Sequence, residues 1–533
     1  MRKRGFYSLT IITLLLLAGA TLSCRAPEPE PAANQASTPT PSASTACAVD
    51  DGIIRQWIQN PSLPSDPAGT DNACFWSFAW QELFDVAQLQ GTTPQFATWP
   101  NDQELFPLSG DPRPWQAAPR RMKVRLLRKA LGLPGSGGVV ADQIAQAAAL
   151  TPVVDQRGRW AHYSIVVDHK EYDYVRCCEL YRGGCFNTQG GVATNPPGPS
   201  QIKLPTGSLE LKLAWQVLET CHLPDSPQPC TPEDASRFLT VQGDVEPYSP
   251  SIPKVANVTL GLVGVHIVQR TPEQTGSVWA TFEHQDNDPD CAAASNPAPP
   301  AGWQFYNPAC NPADIHCQAN AYCPPEPITV PANVAQAFNA DPKNSWKIPI
   351  TASGAGEIVC TPAPNEFNQP VKVNGQEVWI HLFNPASKAP PIPSQVCRQT
   401  PVDPQVSALN DQVHQVLGQL GGSARVFANY RLVGVLWSDS PTDVEPAGAT
   451  KLANTTMETY LQPLPTGCLL CHAGQNDGRV NPVNPVPSKP PMQYNSAFAD
   501  RSFLFQQTRQ FGGSCSANQP AKCSAWAQGC PAG

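Results

Sequence analysis

Nineteen cysteines spread from residue 24 to residue 530 constrain this chain more than any other feature. So many thiols would be hazardous in a reducing cytosol and are normal in an oxidising compartment, where they close as disulfides. The start of the chain agrees. Arg2, Lys3 and Arg4 precede an apolar run from Leu9 to Ala18 and small residues up to Ser23, the layout of a secretory signal peptide over 1–23. Ser23-Cys24 is close to a bacterial lipoprotein cleavage site, although Thr21 stands where Leu is usual. Cleavage there would leave Cys24 to carry a lipid and tether the protein to a membrane, whereas ordinary cleavage would release it.

Residues 24–46 are rich in Pro, Ser and Thr with few apolar side chains, so they cannot bury enough surface to offset ordering and read as a disordered tether. Beyond the leader no segment reaches the run of about 20 apolar residues that a spanning helix needs. A formal charge of -8 and the lack of any basic cluster argue against nucleic acid. Charged residues make up only 15% and Pro fills 60 of 533 positions, which makes the chain loop-heavy because Pro lacks a backbone donor.

One motif carries chemistry: Gly467-Cys468-Leu469-Leu470-Cys471-His472. Two thiols at this spacing can each add to a vinyl group of one haem, and the adjoining His472 then offers its imidazole to the iron as proximal ligand. With 19 Cys and 9 His in the chain, roughly 0.01 such matches are expected by chance. Two rival readings are weaker. A redox disulfide of this type favours a helix start in a βαβ pattern, which is missing here. Zinc would want a second ligand pair. Haem c, one per chain and covalent, is therefore the expected cofactor.

The second axial ligand is open. Met492 lies 20 residues past His472 and suits a local site, although it could equally be a loop methionine after Pro490-Pro491. Met457, just before the motif, could bind or pack. His284, His266 and His381 are the histidine candidates, each of which could instead be a core or surface residue. If His284 lies on a strand, it and Glu283 face opposite ways. Asp286, Asp288 and Asp290 alternate as calcium ligands do, but the required loop Gly is missing and Pro289 intervenes, so a solvated acidic turn is expected.

With Cys24, Cys468 and Cys471 set aside, sixteen cysteines remain, enough for eight disulfides of unspecified pairing. Helical spacing marks Arg120 to Gly132, Ala141 to Leu150 and Ser407 to Leu420, the last with Val413, Val416, Leu417 and Leu420 on one face. Strand patterns mark Ser208 to Leu213, Val255 to Val268, Ser277 to Phe282, Lys347 to Ile350, Val371 to Phe383 with a hairpin at Asn374-Gly375, and Ala424 to Trp437. Phe75, Trp76, Phe78 and Trp80 read as core packing. Asp288 to Pro327 reads as a disulfide-stapled surface excursion. Asn454 offers an N-cap, Thr455 and Glu458 are spaced as a capping box, and a short helix would run to Gln462 before Pro463.

The expected fold class is α+β: one large, irregular, loop-rich, disulfide-stapled body with a C-terminal c-type haem segment. Its parts are the body over 47–450, the haem-attachment segment over 451–510, packed on the body or roofed by Asn495 to Arg509, and a Cys-rich tail over 511–533.

Several stretches together resemble bacterial exported proteins of the cytochrome c family. They are Phe78-Ala79-Trp80-Gln81, Glu171 to Tyr174, Gly207 to Lys212 with Ala214-Trp215, Gly261 to Arg270, Trp279 to His284, Leu452 to Tyr460 and Ala499 to Phe505. The likeness spans roughly residues 74–508, which implies that the haem motif belongs to one long unit. It implies the monohaem cofactor and the compartment, raises His284 as a distal candidate, and leaves the reaction undefined. Cys177-Cys178 and the 515–530 cysteines depart from the pattern. The function expected first is electron transfer with a redox partner protein in the periplasm or at the outer membrane. Alternatives are a haem-dependent oxidoreductase or peroxidase-like enzyme with its pocket in the body, and a non-redox disulfide-rich binding protein.

Overall fold

The structure is a computed structural model. It describes residues 47–107, 110–116, 120–124, 153–182, 204–219, 232–246, 255–274, 277–293, 298–309, 393–437, 452–459, 462 and 516–528, and the backbone of strands at 320–322, 328–330, 356–358, 368–373, 376–383 and 447–448. The leader, the tether, the helix expected over Ala141 to Leu150 and the strand over Lys347 to Ile350 lie outside the described residues.

A mixed, nearly closed sheet forms the centre. Its strands are β1 (Met122–Val124), β2 (His162–Val167), β3 (Leu209–Val217), β4 (Thr240–Val245), β5 (Val255–Arg270), β6 (Ser277–His284), β7 (Tyr430–Trp437) and β8 (Ala447–Gly448). The path runs β8-β7-β6-β5-β3-β2 in antiparallel pairs, with β4 on β5 and β1 parallel to β4. Strand β5 is the spine. One edge pairs with β3, and the other pairs first with β4 and then with β6. The alternating Val, Leu and Ile of Val255 to Val268 made this strand legible, and it runs two residues further to Arg270.

Period-2 alternation gives the sheet two unlike faces. Leu211, Leu213, Val265, Ile267, Ala280, Phe282 and Leu432 share one core with two helices, α1 (Asn72–Val86) and α2 (Pro404–Leu420). Helix α2 starts on Asp403, whose carboxylate accepts from the Gln405 amide, with Pro404 in the first turn, and ends at Gly421 in the left-handed region. As its spacing predicts, Val413, Val416 and Leu417 are buried. Asn410 ties this helix to the sheet: its amide donates to Leu432 O, accepts from Leu432 N, and receives Trp80 Nε1–H at 3.2 Å. Phe75, Trp76, Phe78 and Trp80 are buried on α1, as core packing requires.

Three expectations need correction. Within Arg120 to Gly132, Met122–Val124 is a strand, because a parallel partner at Gly243–Val245 supplies hydrogen bonds that a local helix would have supplied. Ala424 to Trp437 splits, with a 3-10 segment at Ser423–Asn429 before the strand at Tyr430. Asp288 to Pro327 does not begin as a surface excursion, since Asp288 and Phe305 are fully buried. The two strands of the hairpin expected over Val371 to Phe383 pair antiparallel, Asn368–Val373 against Gln376–Phe383 with Val373 facing Gln376, while Asn374-Gly375 lies outside the described residues.

Disulfides link Cys47 to Cys74, Cys178 to Cys523 and Cys291 to Cys397. Cys177 is also disulfide-bonded. The Cys178–Cys523 bond staples the C-terminal segment to the body, and Gln519 Nε2 donates to Cys178 O beside it. No helix among the described residues is long and apolar enough to cross a membrane.

Candidate functional site

Cys468, Cys471, His472, Met492 and Cys24 lie outside the described residues, as does the side chain of His381. What the structure does place is the segment that leads into the motif. Residues 452–459 lie against the face of the sheet opposite the helices. Two stretches noted in the sequence, Gly261 to Arg270 and Trp279 to His284, form its floor.

The segment is polar yet buried. Asn454 and Thr456 have no exposed surface, and a buried backbone must find partners for its polar groups. Asn454 Nδ2 donates to Phe282 O, while Asn454 Oδ1 accepts from the Thr456 amide and hydroxyl. Tyr163 OH donates to Thr456 O at 2.6 Å. The approach is close because Gly264 has no side chain in the way. Leu452 packs with Trp279, Val433 and Leu436, and Met457 with Ala214 and Val263.

Thr455 to Thr459 forms a turn in place of the expected short helix. The capping reciprocity expected of Thr455 and Glu458 is instead between Asn454 and Glu458. The Met457 and Glu458 amides donate to Asn454 O, and the Glu458 carboxylate accepts from the Asn454 amide at 2.7 Å. Thr455 is diverted because its amide and hydroxyl both donate to Glu283.

Two charged groups hold this turn. In the first, Glu458 Oε1 lies 3.0 Å from His266 Nε2 and 3.5 Å from Lys212 Nζ. Strand register accounts for the grouping, since Lys212 and Thr281 both pair with His266 and all three face the turn. Burial pushes the Glu458 carboxyl up, but His266 and Lys212, with hydrogen bonds from His266 and Asn454, outweigh it and hold it at about 2. His266 Nδ1 meets Thr281 Oγ1 at 2.8 Å. Thr281, His266 and Glu458 therefore line up like a nucleophile, base and acid. Thr281 is fully buried, so no substrate can reach its hydroxyl, and the chain of bonds orients His266.

In the second group, Glu283 is ion-paired to Arg398 and lies 3.6 Å from Arg431 Nη2. Arg398 Nη1 donates to Ala453 O. Burial pushes Glu283 up, but Arg398 and Arg431 prevail and hold it below the usual carboxylate range. Asp288, in the same group, is pushed up to about 7 by burial and by the Glu283 charge. The Asp286, Asp288, Asp290 run is thus not a solvated acidic turn: Asp286 pairs with Arg237 at 2.6 Å and Asp288 is internal. Arg398 and Arg431, more than 100 positions away in the chain, make that burial tolerable, which local spacing could not reveal.

His284 does turn away from Glu283, as alternation requires. Its Nε2–H donates to Arg237 O, while Nδ1 accepts from the Asp286 amide and from Gln304 Nε2. The ring stacks on Phe238 with centroids 4.6 Å apart, and burial lowers its pKa to about 4. It is a neutral core histidine with both nitrogens engaged. Among the described residues, no group of three His, Cys, Asp or Glu side chains could hold a metal ion.

Gln462 marks the last described point before the motif. Its amide donates to Cys397 O and accepts from the Gln399 amide. Six residues on, Cys468 can lie at most about 22 Å from it by covalent reach alone. No protein-family model, curated protein sequence or solved structure matches the chain.

Proposed function

We propose that the chain is an exported monohaem c-type cytochrome that transfers electrons in the periplasm or at the outer membrane. The observation that carries this reading is the spacing Cys468, Cys471, His472. That donor set suits haem c, with two thiols for the vinyl groups and one imidazole for the iron. Haem c supplies one-electron chemistry when bound. Disulfides at Cys47–Cys74, Cys178–Cys523 and Cys291–Cys397 support an oxidising compartment.

The body's contribution is to fix the chain ahead of the motif. A turn buried on β5 and β6 and bonded at both ends gives Cys468 a short tether from a rigid floor. Because both nitrogens of His284 are engaged, Met492 is the distal candidate we carry forward. A lipid on Cys24 would place the protein on a membrane, where a redox partner protein would meet it.

The test is an absorption spectrum of protein exported together with haem-attachment machinery, followed by a denatured pyridine adduct. A c-type adduct at one haem per chain, lost in Cys471→Ala, is the expected result. A folded but colourless protein would leave a disulfide-rich binding protein as the better reading. Retention of the reduced spectrum in Met492→Ala would remove Met492 as the distal ligand.

A further inference from the structure

Three consecutive residues, Cys397, Arg398 and Gln399, grip the buried segment at both ends. At its start Arg398 Nη1 donates to Ala453 O at 3.1 Å. At its end Gln462 Nε2 donates to Cys397 O at 3.1 Å, and the Gln399 amide donates to Gln462 Oε1 at 3.0 Å. Between these points, Arg398 and Thr455 meet on the same Glu283 carboxylate.

The gripping residues are themselves held in three ways. Two backbone hydrogen bonds join them to the 289–291 stretch, Arg398 N to Pro289 O and Cys291 N to Arg398 O. Arg398 adds its charge contacts, whose net contribution is small once desolvation of both partners is counted. The third hold is covalent, the Cys291–Cys397 disulfide, which bridges 106 positions of sequence. A crosslink across so long a stretch restricts the open chain far more than two hydrogen bonds do.

This disulfide also differs in access from Cys47–Cys74 and Cys178–Cys523. Cys74 and Cys178 are buried at 2% and 0% exposure and their partners Cys47 and Cys523 are half-buried. Cys397 is half-buried but its partner Cys291 is exposed, so Cys291 offers the most open sulfur of the three bonds. Exchange needs a thiolate to reach a sulfur, so exposure decides which bond reacts.

We propose that Cys291–Cys397 is a thiol–disulfide exchange site for a dithiol reductant, and that opening it frees the turn at 453–459 from the sheet. One thiolate of the dithiol attacks the Cys291 sulfur, forming a mixed disulfide and expelling the Cys397 thiolate. The second thiolate of the dithiol then attacks its own partner sulfur and releases Cys291. Two electrons pass to the protein, both cysteines end as thiols after taking up two protons, and the dithiol leaves as its cyclic or paired disulfide. The proposal goes beyond electron transfer and holds whether or not residues 468–472 carry a haem.

The experiment is a titration of the native full chain with dithiothreitol, followed by alkylation and mapping of the modified cysteines. Cys291 and Cys397 should be alkylated about tenfold faster than Cys47, Cys74, Cys178 and Cys523. In the sample opened only there, amide hydrogen exchange at Met457 and Glu458 should rise about tenfold while Leu213 and Val265 keep their protection. Gln462→Ala, which leaves the disulfide closed, should loosen the same two amides in part. Prior opening of either other pair, unchanged exchange at Met457 and Glu458, or an equal rise at Leu213 and Val265 would each overturn the proposal.

Discussion

Gly264 and Thr456 sit so close that a Cβ added at Gly264 would come within 2.5 Å of the Thr456 hydroxyl and 2.8 Å of Asn454 Oδ1. The docking of the buried turn on strand β5 therefore depends on a missing side chain. Gly264→Ala should lift the turn and destabilise the protein by about 1–3 kcal/mol, the usual range for overpacking a filled site. Chemical denaturation checks the loss, and a variant as stable as the parent would show that the turn is not seated there.

Arg398 is the main compensation for Glu283, since both side chains are almost wholly buried. Arg398→Leu leaves a carboxylate stranded and should cost about 3–5 kcal/mol. Adding Glu283→Gln to that variant should recover part of the loss, because the stranded charge goes with it. Strictly additive losses in a double-mutant cycle would contradict the pairing.

Glu458 gives the fold an acid limit. Its carboxyl is held at about 2 against an ordinary 4.5, so the folded state releases this proton more readily than the unfolded chain. The stabilisation is present above the ordinary value and is lost as pH falls from 4.5 toward 2. Glu458→Gln should lower stability at neutral pH by about 1.5–3 kcal/mol, the scale of a charge-assisted hydrogen bond, and flatten the acid limb. Melting temperature measured from pH 6 to pH 2 reads both effects, and parallel curves for parent and variant would contradict them.

Asp288 acts in the opposite sense. Raised from 3.8 to about 7, it binds a proton more tightly in the folded state than in the unfolded chain. Stability from this group is fully present below 3.8 and is lost as pH rises through about 7. Asp288→Asn should therefore gain on the parent across that interval and hold a constant lead above it. A stability difference that does not vary with pH would show that Asp288 is ionised throughout.

The sheet and helix α2 could be read in advance where local pattern and burial agree. Val255 to Val268 alternates as a strand buried on a two-faced sheet must, and Val413, Val416 and Leu417 recur at helical spacing. Asn72–Val86 is apolar nearly all round, so no contrast of faces marks its helical period in the sequence. Met122–Val124 carries a helical spacing in the sequence, and its true partner, Gly243–Val245, lies over 100 positions away. The turn was visible as a polar cluster at 454–458, but its burial was not. That burial depends on Gly264, Glu283 and Arg398, which only the folded chain brings beneath it. The same holds for Asp288, whose isolation from water no neighbouring residue announces.

A covalent haem on residues 468–472 can be read directly at the level of the peptide. Trypsin releases residues 452–479 as a single fragment, bounded by Lys451 and Arg479 and containing Cys468, Cys471 and His472. Digestion of protein exported with haem-attachment machinery, followed by mass spectrometry, should yield this fragment carrying one covalently bound haem. Recovery of the fragment without haem, short of two hydrogen atoms through a Cys468–Cys471 disulfide, would contradict the assignment of the chain as a c-type cytochrome.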